Sequence, residues 1–403
     1  MVPQAAAKLT TTEDFPPPLA LRPYQAEAIE AILKGFDRGI RRPLVAHPTG
    51  TGKTVLFAHL LRQRPGRALI LAHRDELMSQ AVEKLAVVDP SLDIGVVKAE
   101  RDEHDAPVVV ASVQTLSRPS RLERLTSDFE ILVVDEAHHA TADTYRRILD
   151  YCGVFKPDGP LCLGVTATPF RADGAGLGTI FQKIVHERGI LDMIREAYLA
   201  DLRAIQVRLD CDLNALHTRA GDFMDRESSA LLVAGNAPRH AVEAYQAYAA
   251  GRKALLFTPT VDLAHAMAEA FEAAGMAAEG RDGTTPLEER RAIVRRLHTG
   301  ETSVVGNCGV LTEGFDEPSV DCIIVARPTR SKPLYVQMIG RGTRPFPGKA
   351  DCLILDLVGA TTRHDLMTAA ALFDLKPAAL AGQTLMEAVE ARERALTPPA
   401  PDG

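Results

Sequence analysis

The octapeptide His47-Pro48-Thr49-Gly50-Thr51-Gly52-Lys53-Thr54 indicates the fold of the chain around it. It follows the apolar run Leu44-Val45-Ala46 and precedes an amphipathic segment, so the pattern predicts a loop between a buried strand and a helix. Glycines let the backbone N–H groups of such a loop approach phosphate oxygens, and the start of the helix adds positive potential. The octapeptide therefore predicts a phosphate-binding loop. The alternative is a glycine-rich turn before a helix, since the strict pattern has glycine in place of His47.

The same loop predicts a nucleotide and a metal ion. Lys53 is expected to reach the β- and γ-phosphates of ATP, and Thr54 is expected to place its hydroxyl on Mg²⁺. ATP and Mg²⁺ are accordingly the predicted cofactors. The nucleotide-binding residues predicted from the loop are Pro48, Thr49, Gly50, Thr51, Gly52, Lys53 and Thr54.

Short apolar runs alternate with amphipathic segments along most of the chain. Five such runs lie between residues 44 and 165, and the segments Lys53–Arg62 and Asp75–Lys84 between them have helical periodicity. A second series extends over residues 253–356. Near-continuous apolar runs are typical of strands that helices cover on both faces. The alternation predicts an α/β protein with two domains, each a mostly parallel sheet flanked by helices.

Changes in composition suggest the domain boundaries. Residues 1–20 are rich in Ala, Thr and Pro and are expected to form a mobile arm, followed by the first α/β domain over residues 21–199. The polar, irregular stretch 200–235 is expected to be a connector to a second α/β domain over residues 236–362. Residues 363–403 are expected to form a helical tail with a disordered end.

A pair of carboxylates follows the apolar run Ile131-Leu132-Val133-Val134. Asp135 is expected to bind the metal ion, and Glu136 is expected to polarise the attacking water. Acidic residues often end strands, so this pair alone does not indicate a metal site. It does so together with the phosphate-binding loop upstream. Together the two motifs predict a site for nucleotide hydrolysis.

The order of motifs along roughly residues 20–360 resembles that of superfamily 2 helicases. The resemblance implies two tandem RecA-like P-loop domains. Within the superfamily, Ala72-His73-Arg74-Asp75-Glu76-Leu77 is similar to the group that contains XPB-like repair helicases and the motors of type I and type III restriction enzymes. The motifs are Arg22-Pro23-Tyr24-Gln25, Asp135-Glu136-Ala137-His138, Thr166-Ala167-Thr168-Pro169, Val310-Leu311-Thr312-Glu313-Gly314-Phe315-Asp316 and Gln337-Met338-Ile339-Gly340-Arg341-Gly342-Thr343-Arg344.

The resemblance implies roles for residues in these motifs. Those expected to contact the nucleotide, in part by reading the adenine, are Arg22, Tyr24, Gln25, Gly314 and Asp316. Thr166 and Thr168 are expected to couple the nucleotide site to the nucleic acid, and His138 is expected to link ATP to it.

The last motif predicts the cationic part of the catalytic site. The spacing of Arg341 and Arg344 predicts that both lie on one face of a helix, where they would stabilise the charge of the transferring phosphoryl group. Gln337 lies one turn earlier and is expected to help place the water. The alternative for this stretch is a solvated basic helix.

Loops at the carboxyl ends of strands are expected to grip a nucleic-acid strand. Their hydroxyl, amide and backbone groups suit phosphates rather than bases, which predicts little sequence specificity. A helix cap or a turn is the alternative for each residue, because Thr and Ser cap helices routinely. The contacts assigned by resemblance are His73, Arg74, Gln114, Thr115, Thr258 and Thr312.

Composition limits the class of protein. No apolar run is long enough to span a bilayer and the N-terminus lacks a secretory pattern, so the predicted location is the cytoplasm and no membrane partner is expected. The six cysteines have no spacing typical of zinc or disulfide frameworks. A net charge of −7 does not suggest a nucleic-acid binder, but a motor needs only a local basic groove.

These patterns predict an ATP-dependent nucleic-acid helicase or translocase. DNA is favoured over RNA, because Thr166-Ala167-Thr168 differs from the Ser-Ala-Thr usual in DEAD-box RNA helicases. The alternatives are a duplex DNA translocase subunit of a restriction or repair complex, an RNA helicase and an ATP-gated nucleic-acid clamp. No accessory domain is evident, so a protein partner is expected to supply targeting.

Overall fold

The computed structural model describes residues 20–73, 75–126, 128–168, 176–219, 221–281, 285–308, 317–358, 366–380 and 382–396. Its framework is two large β-sheets in sequence. None of the helices in these ranges combines the length and the apolar character needed to cross a membrane. All six cysteines are free thiols.

The first sheet has eight strands and carries the phosphate-binding loop. Across the sheet their order is β4-β3-β5-β2-β6-β7-β1-β8, and the described pairings are parallel except that of β3 with β4. Strands β1, β2, β5 and β6 are buried along their whole length, as the apolar runs predict. The strands are β1 (Pro43–Ala46), β2 (Ala68–Ala72), β3 (Ile94–Lys98), β4 (Arg101–Asp102), β5 (Val108–Ser112), β6 (Ile131–Asp135), β7 (Leu161–Thr166) and β8 (Lys183–Glu187).

Helices pack on both faces of this sheet. Alternating side chains of β2 show this, since Ile70 belongs to one apolar cluster while Leu69 and Leu71 belong to another. The first cluster includes Leu56 of the helix that follows the phosphate-binding loop, which anchors that loop to the core. The helices on this sheet are α1 (Pro23–Asp37), α2 (Lys53–Gln63), α3 (Asp75–Val88), α4 (Val113–Leu116), α5 (Pro119–Leu122) and α6 (Asp143–Tyr151). The next helix, α7 (Ile190–Arg195), instead buries Met193 and Ile194 in the apolar cluster of the second sheet, although the sequence placed residues 21–199 in the first domain.

The second sheet has six parallel strands in the order β13-β14-β12-β15-β16-β9. A short antiparallel hairpin, β10 with β11, lies outside it. The strands are β9 (Asp201–Gln206), β10 (Thr218–Arg219), β11 (Asp222–Phe223), β12 (Ala254–Phe257), β13 (Ala278–Arg281), β14 (Val304–Asn307), β15 (Cys322–Val325) and β16 (Asp351–Asp356).

The edge strand β9 corrects the interpretation of residues 200–235 as a connector. Its six residues pair in register with β16, from Asp201 opposite Asp351 onwards. Only Leu202 and Ala204 of the strand are buried, because an edge strand packs mainly through one face. The resulting alternation lacks the continuous apolar run that marks the central strands, so the sequence pattern looked irregular.

The remaining helices complete the second unit, including part of the predicted tail. Leu385, Ala388 and Val389 of the last helix are buried in the same apolar cluster as Leu202 of β9. This helix therefore packs into the second unit instead of extending from it. The helices are α8 (Asp225–Ala234), α9 (Ala237–Tyr248), α10 (Val261–Ala273), α11 (Leu287–Thr299), α12 (Lys332–Gly340), α13 (Ala369–Leu372) and α14 (Leu385–Leu396).

Gly164 in β7 provides a test of packing beside the phosphate-binding strand. A Cβ at this position would lie 2.5 Å from the Phe181 ring and 2.8 Å from Leu44 Cδ1. We expect Gly164→Ala to lower the free energy of unfolding by about 1–3 kcal/mol, because overpacking forces these side chains out of place. Urea denaturation measures this. Gly178→Ala is the control, since a Cβ there meets nothing within 4 Å; equal effects of both changes would contradict the packing argument.

Candidate functional site

The loop between β1 and α2 depends on two glycines. Gly50 and Gly52 have φ values of +87° and +73°, a region that L side chains rarely adopt. Thr51 Oγ1 donates to the Pro48 carbonyl oxygen at 2.7 Å and closes the loop on itself. Helix α2 then begins at Lys53, and its first N–H groups have no partners within the helix. The loop therefore presents backbone donors of the kind that bind phosphate.

The cleft beside this loop has the charge expected of a polyphosphate site. It has a volume of about 200 Å³ and is lined by four cationic side chains and two carboxylates. Among the described residues, Thr49 Oγ1 is buried without a hydrogen-bond partner, so it can accept or donate to a bound group. The charged lining residues are Lys53, Lys84, Arg341, Arg344, Asp135 and Glu136.

Thr54 and Asp135 line the same cleft and fit a magnesium ion. Mg²⁺ prefers oxygen ligands and is commonly bound through one or two protein oxygens together with phosphate oxygens. A threonine hydroxyl and a carboxylate facing one cleft supply that donor set. The residues present therefore fit ATP with Mg²⁺.

Two of the residues expected to read adenine form hydrogen bonds to the backbone of the phosphate-binding loop. Gln25 Oε1 accepts from the Arg22 backbone N–H at 2.9 Å, and Gln25 Nε2 donates to the Thr51 carbonyl oxygen at 3.0 Å. The hydroxyl of the fully buried Tyr24 donates to the same carbonyl oxygen at 2.6 Å. Arg22 is exposed and lies 5.8 Å from the centre of the Tyr198 ring. Of the three residues, only Arg22 stands at the surface.

His47 replaces the first glycine of the strict pattern and joins the loop to β8. Its Nε2 lies 2.8 Å from His186 Nδ1, and His186 Nε2 lies 3.7 Å from the Glu27 carboxylate of α1. Burial, the neighbouring His186 and the charge of Lys53 lower the pKa of His47 from 6.5 to about 3. The imidazole is therefore neutral near pH 7 and acts as a hydrogen-bonding anchor.

The acidic pair lies where β6 ends. Asp135 Oδ1 accepts from the Glu136 backbone N–H at 2.9 Å. Glu136 has φ +49° and ψ +54°, a left-handed conformation that costs energy in a residue other than glycine. The conformation coincides with a sharp turn from the strand into the 3₁₀ turn Ala137–His139.

The Glu136 carboxylate is buried beside basic side chains. Its Oε1 lies 4.0 Å from Lys53 Nζ and its Oε2 lies 3.4 Å from His138 Nδ1. Burial favours the neutral acid, but Lys53, His138 and Arg341 outweigh that effect and hold the pKa of Glu136 well below its usual range. Glu136 is therefore ionised near neutral pH.

The two arginines reach the cleft from the second sheet, but they do not share a helical face. Helix α12 ends at Gly340, and Arg341 is its C-cap, so the helical prediction for Arg341 and Arg344 was wrong. Beyond the helix, Gly342 packs closely against β16, where a Cβ would lie 2.2 Å from Cys352 Sγ. Both side chains nevertheless line the cleft.

The contact between the two units depends on small residues. A Cβ at Gly340 would lie 2.8 Å from Thr49 Cβ, and a Cβ at Gly50 would lie 3.0 Å from Arg344 Cγ. The segment from Gly340 to Arg344 therefore packs directly against the phosphate-binding loop.

His138 connects three motifs that are far apart in the chain. Its Nδ1 lies 3.3 Å from Thr166 Oγ1, and its Nε2 lies 3.4 Å from Gln337 Nε2. Thr166 Oγ1 in turn donates to the Thr168 carbonyl oxygen at 2.9 Å. Gln337 thus contacts His138 across the interface between the two units. The role of Gln337 in placing the attacking water stays a prediction.

The predicted nucleic-acid residues divide into exposed and buried groups. The exposed Gln114 donates through Nε2 to the carbonyl oxygen of the half-buried His73. Thr115 is buried and accepts from the Ala99 backbone N–H at 3.2 Å, and the buried Thr258 donates to the Thr260 carbonyl oxygen at 2.9 Å. Both hydroxyls are bonded within the fold, which places them poorly for a direct contact with a nucleic-acid strand.

Four predicted residues lie outside the described residues. They are Arg74, Thr312, Gly314 and Asp316. Pro169 lies outside them as well.

Sequence reasoning missed several residues around the cleft. Gln80 and Lys84 of α3 line it, and their spacing of four residues could have indicated a shared helical face. No comparable signal identifies His186 or Tyr198, because each comes from a separate element and joins the site only through the fold.

Two sheets in sequence, with a phosphate-binding loop on the first and arginines from the second in one cleft, define a two-domain P-loop nucleotide-binding protein. Residues 18–171 match the family model "Type III restriction enzyme, res subunit", and residues 239–345 match "Helicase conserved C-terminal domain". The chain belongs to the superfamily 2 helicases and is related to XPB-like helicases and restriction-enzyme motors.

Similar proteins include two from yeasts. IRC3 of Saccharomyces cerevisiae, named as a candidate ATP-dependent helicase, is 36% identical over 361 residues, which cover 85% of this chain and 52% of that protein. Its namesake in Schizosaccharomyces pombe, named as a candidate mitochondrial ATP-dependent helicase, is 36% identical over 371 residues, covering 89% of this chain and 61% of that protein. The chain thus spans little more than half the length of these relatives.

A solved structure shares the fold. A fragment of a candidate HsdR subunit of a type I restriction enzyme from Vibrio vulnificus aligns with a TM-score of 0.66 at 22% identity, covering 87% of this chain and 66% of that chain. The likeness confirms the predicted α/β fold with two RecA-like domains.

Gly340 provides a test of the interface. We expect Gly340→Ala to lower kcat for ATP hydrolysis by about 10²-fold, because the new methyl group separates the arginine loop from the phosphate-binding loop and small misplacements are that costly. Steady-state kinetics measure this. Gly35→Ala in α1 is the matched control, since a Cβ there makes ordinary contacts at 3.4 Å or more; an unchanged kcat in Gly340→Ala would refute the tight approach.

His47 predicts a pH dependence of stability. The unfolded chain protonates this imidazole near pH 6.5, whereas the folded chain resists protonation down to about pH 3. The contribution of His47 to the free energy of unfolding is therefore fully present above pH 6.5. It falls by up to roughly 1.4 kcal/mol for each pH unit below that value. We expect the advantage of the wild type over His47→Gln in urea denaturation to shrink by roughly 2–3 kcal/mol between pH 7 and pH 4.5. A constant difference across that range would contradict the buried neutral imidazole.

Proposed function

We propose that this protein hydrolyses ATP with Mg²⁺ to drive movement along, or strand separation of, nucleic acid, with DNA favoured over RNA. The observation that carries the proposal is the entry of Arg341 and Arg344, from the second unit, into the cleft that holds the phosphate-binding loop and the acidic pair of the first. A nucleotide in that cleft would contact both units at once. Its hydrolysis can therefore change how the units are held together.

Each charged residue has a proposed role in hydrolysis. Lys53 would contact the β- and γ-phosphates, and Asp135 with Thr54 would hold the magnesium ion, which supplies charge neutralisation when bound. Glu136 is buried and ionised, so it can accept a hydrogen bond from the attacking water and orient it. Arg341 and Arg344 would stabilise the charge that develops on the transferring phosphoryl group.

The interface geometry supports a closure that responds to the nucleotide. Arg341 is almost fully buried. It comes from the second unit, whereas the Glu136 carboxylate that it stabilises comes from the first. A cation in such a place is favourable only while an anion faces it. Loss of the γ-phosphate removes an anion from the cleft and weakens the contact between the units, which gives the two states that a motor requires.

The preference for DNA rests on the first domain. Its family model is that of a restriction-enzyme subunit, and restriction enzymes act on DNA. The Thr-Ala-Thr motif supports the same preference. The proposed contact surface contains His73, which follows β2, and Gln114 of α4, because these predicted side chains reach the surface.

Two further predictions concern the cell. A protein partner that supplies targeting stays a prediction. Cytoplasmic location also stays a prediction, because the name of the Schizosaccharomyces pombe relative places that protein in the mitochondrion.

The proposal is tested by steady-state ATP hydrolysis without polymer and with single-stranded DNA, duplex DNA or RNA. We expect DNA to stimulate hydrolysis more than RNA does, Lys53→Ala to abolish hydrolysis, and Arg341→Ala to lower kcat by about 10³-fold or more. Arg291→Ala is the matched control, because that exposed arginine of α11 pairs only with Glu288 in the contacts described. A strand-displacement assay separates unwinding from translocation.

Two outcomes would contradict the proposal. Full activity in Arg341→Ala would remove the shared cleft from the mechanism. Hydrolysis that responds to none of the polymers would exclude a motor that acts on its own and favour an ATP-gated clamp.

A further inference from the structure

Three histidine rings form a continuous array from the surface to the catalytic glutamate. The ring centres of His73 and His139 are 4.8 Å apart with planes inclined by 25°, which is a stacked arrangement. The His139 and His138 rings follow at 4.1 Å with an inclination of 44°. His138 in turn contacts Glu136. The superfamily motifs assign a role to His138 but none to His139.

The outer end of the array lies in the proposed nucleic-acid surface. His73 follows β2 directly, and Gln114 belongs to the short helix α4 that follows β5. Gln114 Nε2 lies 3.3 Å from His73 Nδ1. Ser112 Oγ donates to Gln114 Oε1 at 2.9 Å and orients the amide. A strand bound to His73 and Gln114 would therefore shift the His73 ring either directly or through the Gln114 amide.

The inner end of the array lies at the reacting atoms. His138 faces Glu136 through Nδ1 and Gln337 of the second unit through Nε2. The His139 backbone N–H donates to the Glu136 carbonyl oxygen at 3.0 Å, so one short turn connects the His139 ring to the catalytic residue. Glu136 occupies a left-handed backbone conformation, which is sensitive to the geometry of its neighbours.

We propose that His139 is a positioning residue that transmits nucleic-acid binding from His73 to His138 and Glu136. Its ring contacts both of the others. Stacked planar rings resist compression, so a displacement of His73 moves His139 and the turn that carries Glu136. The inference rests on the proposed function, because it concerns stimulation of the same ATPase site by the polymer.

A second route leads to His138 from β7. Thr166 Oγ1 lies 3.3 Å from His138 Nδ1, and the threonine motif is the part expected to couple the two sites. If coupling passes only through Thr166, removal of the His139 ring leaves stimulation by the polymer intact. The two routes therefore predict different results for one substitution.

The test compares His139→Ala with His139→Phe, which retains a ring that can stack. For each protein, kcat and KM for ATP are measured without polymer and with saturating DNA, together with the DNA concentration that gives half-maximal stimulation. We expect His139→Ala to lower the stimulated-to-basal ratio of kcat by roughly three- to tenfold, the scale of one aromatic contact. Basal kcat, KM and the half-maximal DNA concentration should stay unchanged, and His139→Phe should recover most of the ratio.

Controls separate a relay from a loss of structure. His217→Ala removes an exposed histidine from the β10–β11 region and should leave the stimulation ratio at the wild-type value. Thermal unfolding of each variant measures folding independently of activity. If His139→Ala does not fold, the ratio in His139→Phe against His139→Leu, which keeps bulk without a ring, decides the question.

Full stimulation in His139→Ala, or an equal loss in His139→Phe and His139→Ala, would overturn the relay while the proposed function stands. A fall in basal kcat that matches the fall in stimulated kcat would also overturn it, because that result describes a structural role. Absence of stimulation by any polymer in the wild type would instead overturn the proposed function and the relay with it.

Discussion

The Glu136 carboxylate is buried in a place where it needs cations from both halves of the chain. Burial of a charge costs several kcal/mol unless opposite charges and hydrogen bonds replace water. Lys53 comes from the phosphate-binding loop and Arg341 from the loop after α12, so the favourable state of this carboxylate requires the two sheets to be apposed. The architecture of the cleft follows from that requirement.

Apposition in turn requires small residues where the units meet. A methyl group at Gly340 would lie 2.8 Å from Thr49 Cβ and one at Gly50 would lie 3.0 Å from Arg344 Cγ, so either would push its neighbour aside. The glycines of the phosphate-binding loop therefore serve two purposes, because Gly50 also adopts a left-handed conformation that phosphate binding exploits. A change at these positions acts on the contact between the units as much as on the loop.

The cleft also resolves the conflict between the acidic composition and an anionic ligand. The chain has a net charge of −7, yet four cationic side chains and two carboxylates line this site. Net charge describes the field far from the protein, whereas a nucleotide responds to the groups within a few ångströms. The His47 side chain at the start of the loop is neutral by contrast, because burial lowers its pKa and keeps the imidazole uncharged.

The sequence by itself determined the α/β class, the phosphate-binding loop, the acidic pair and the central strands, because each depends on residues that are adjacent or periodic in the chain. It did not determine β9, whose alternating edge pattern resembles a connector, or the end of α12 before Arg341, beyond which Gly342 packs against Cys352 of β16. The inward orientation of Thr115 and Thr258 was equally invisible, since a hydroxyl at a strand end can face either way. Only the tertiary structure brought His73 to His139, or His47 to His186, because such pairs form between elements whose separation in the chain carries no pattern.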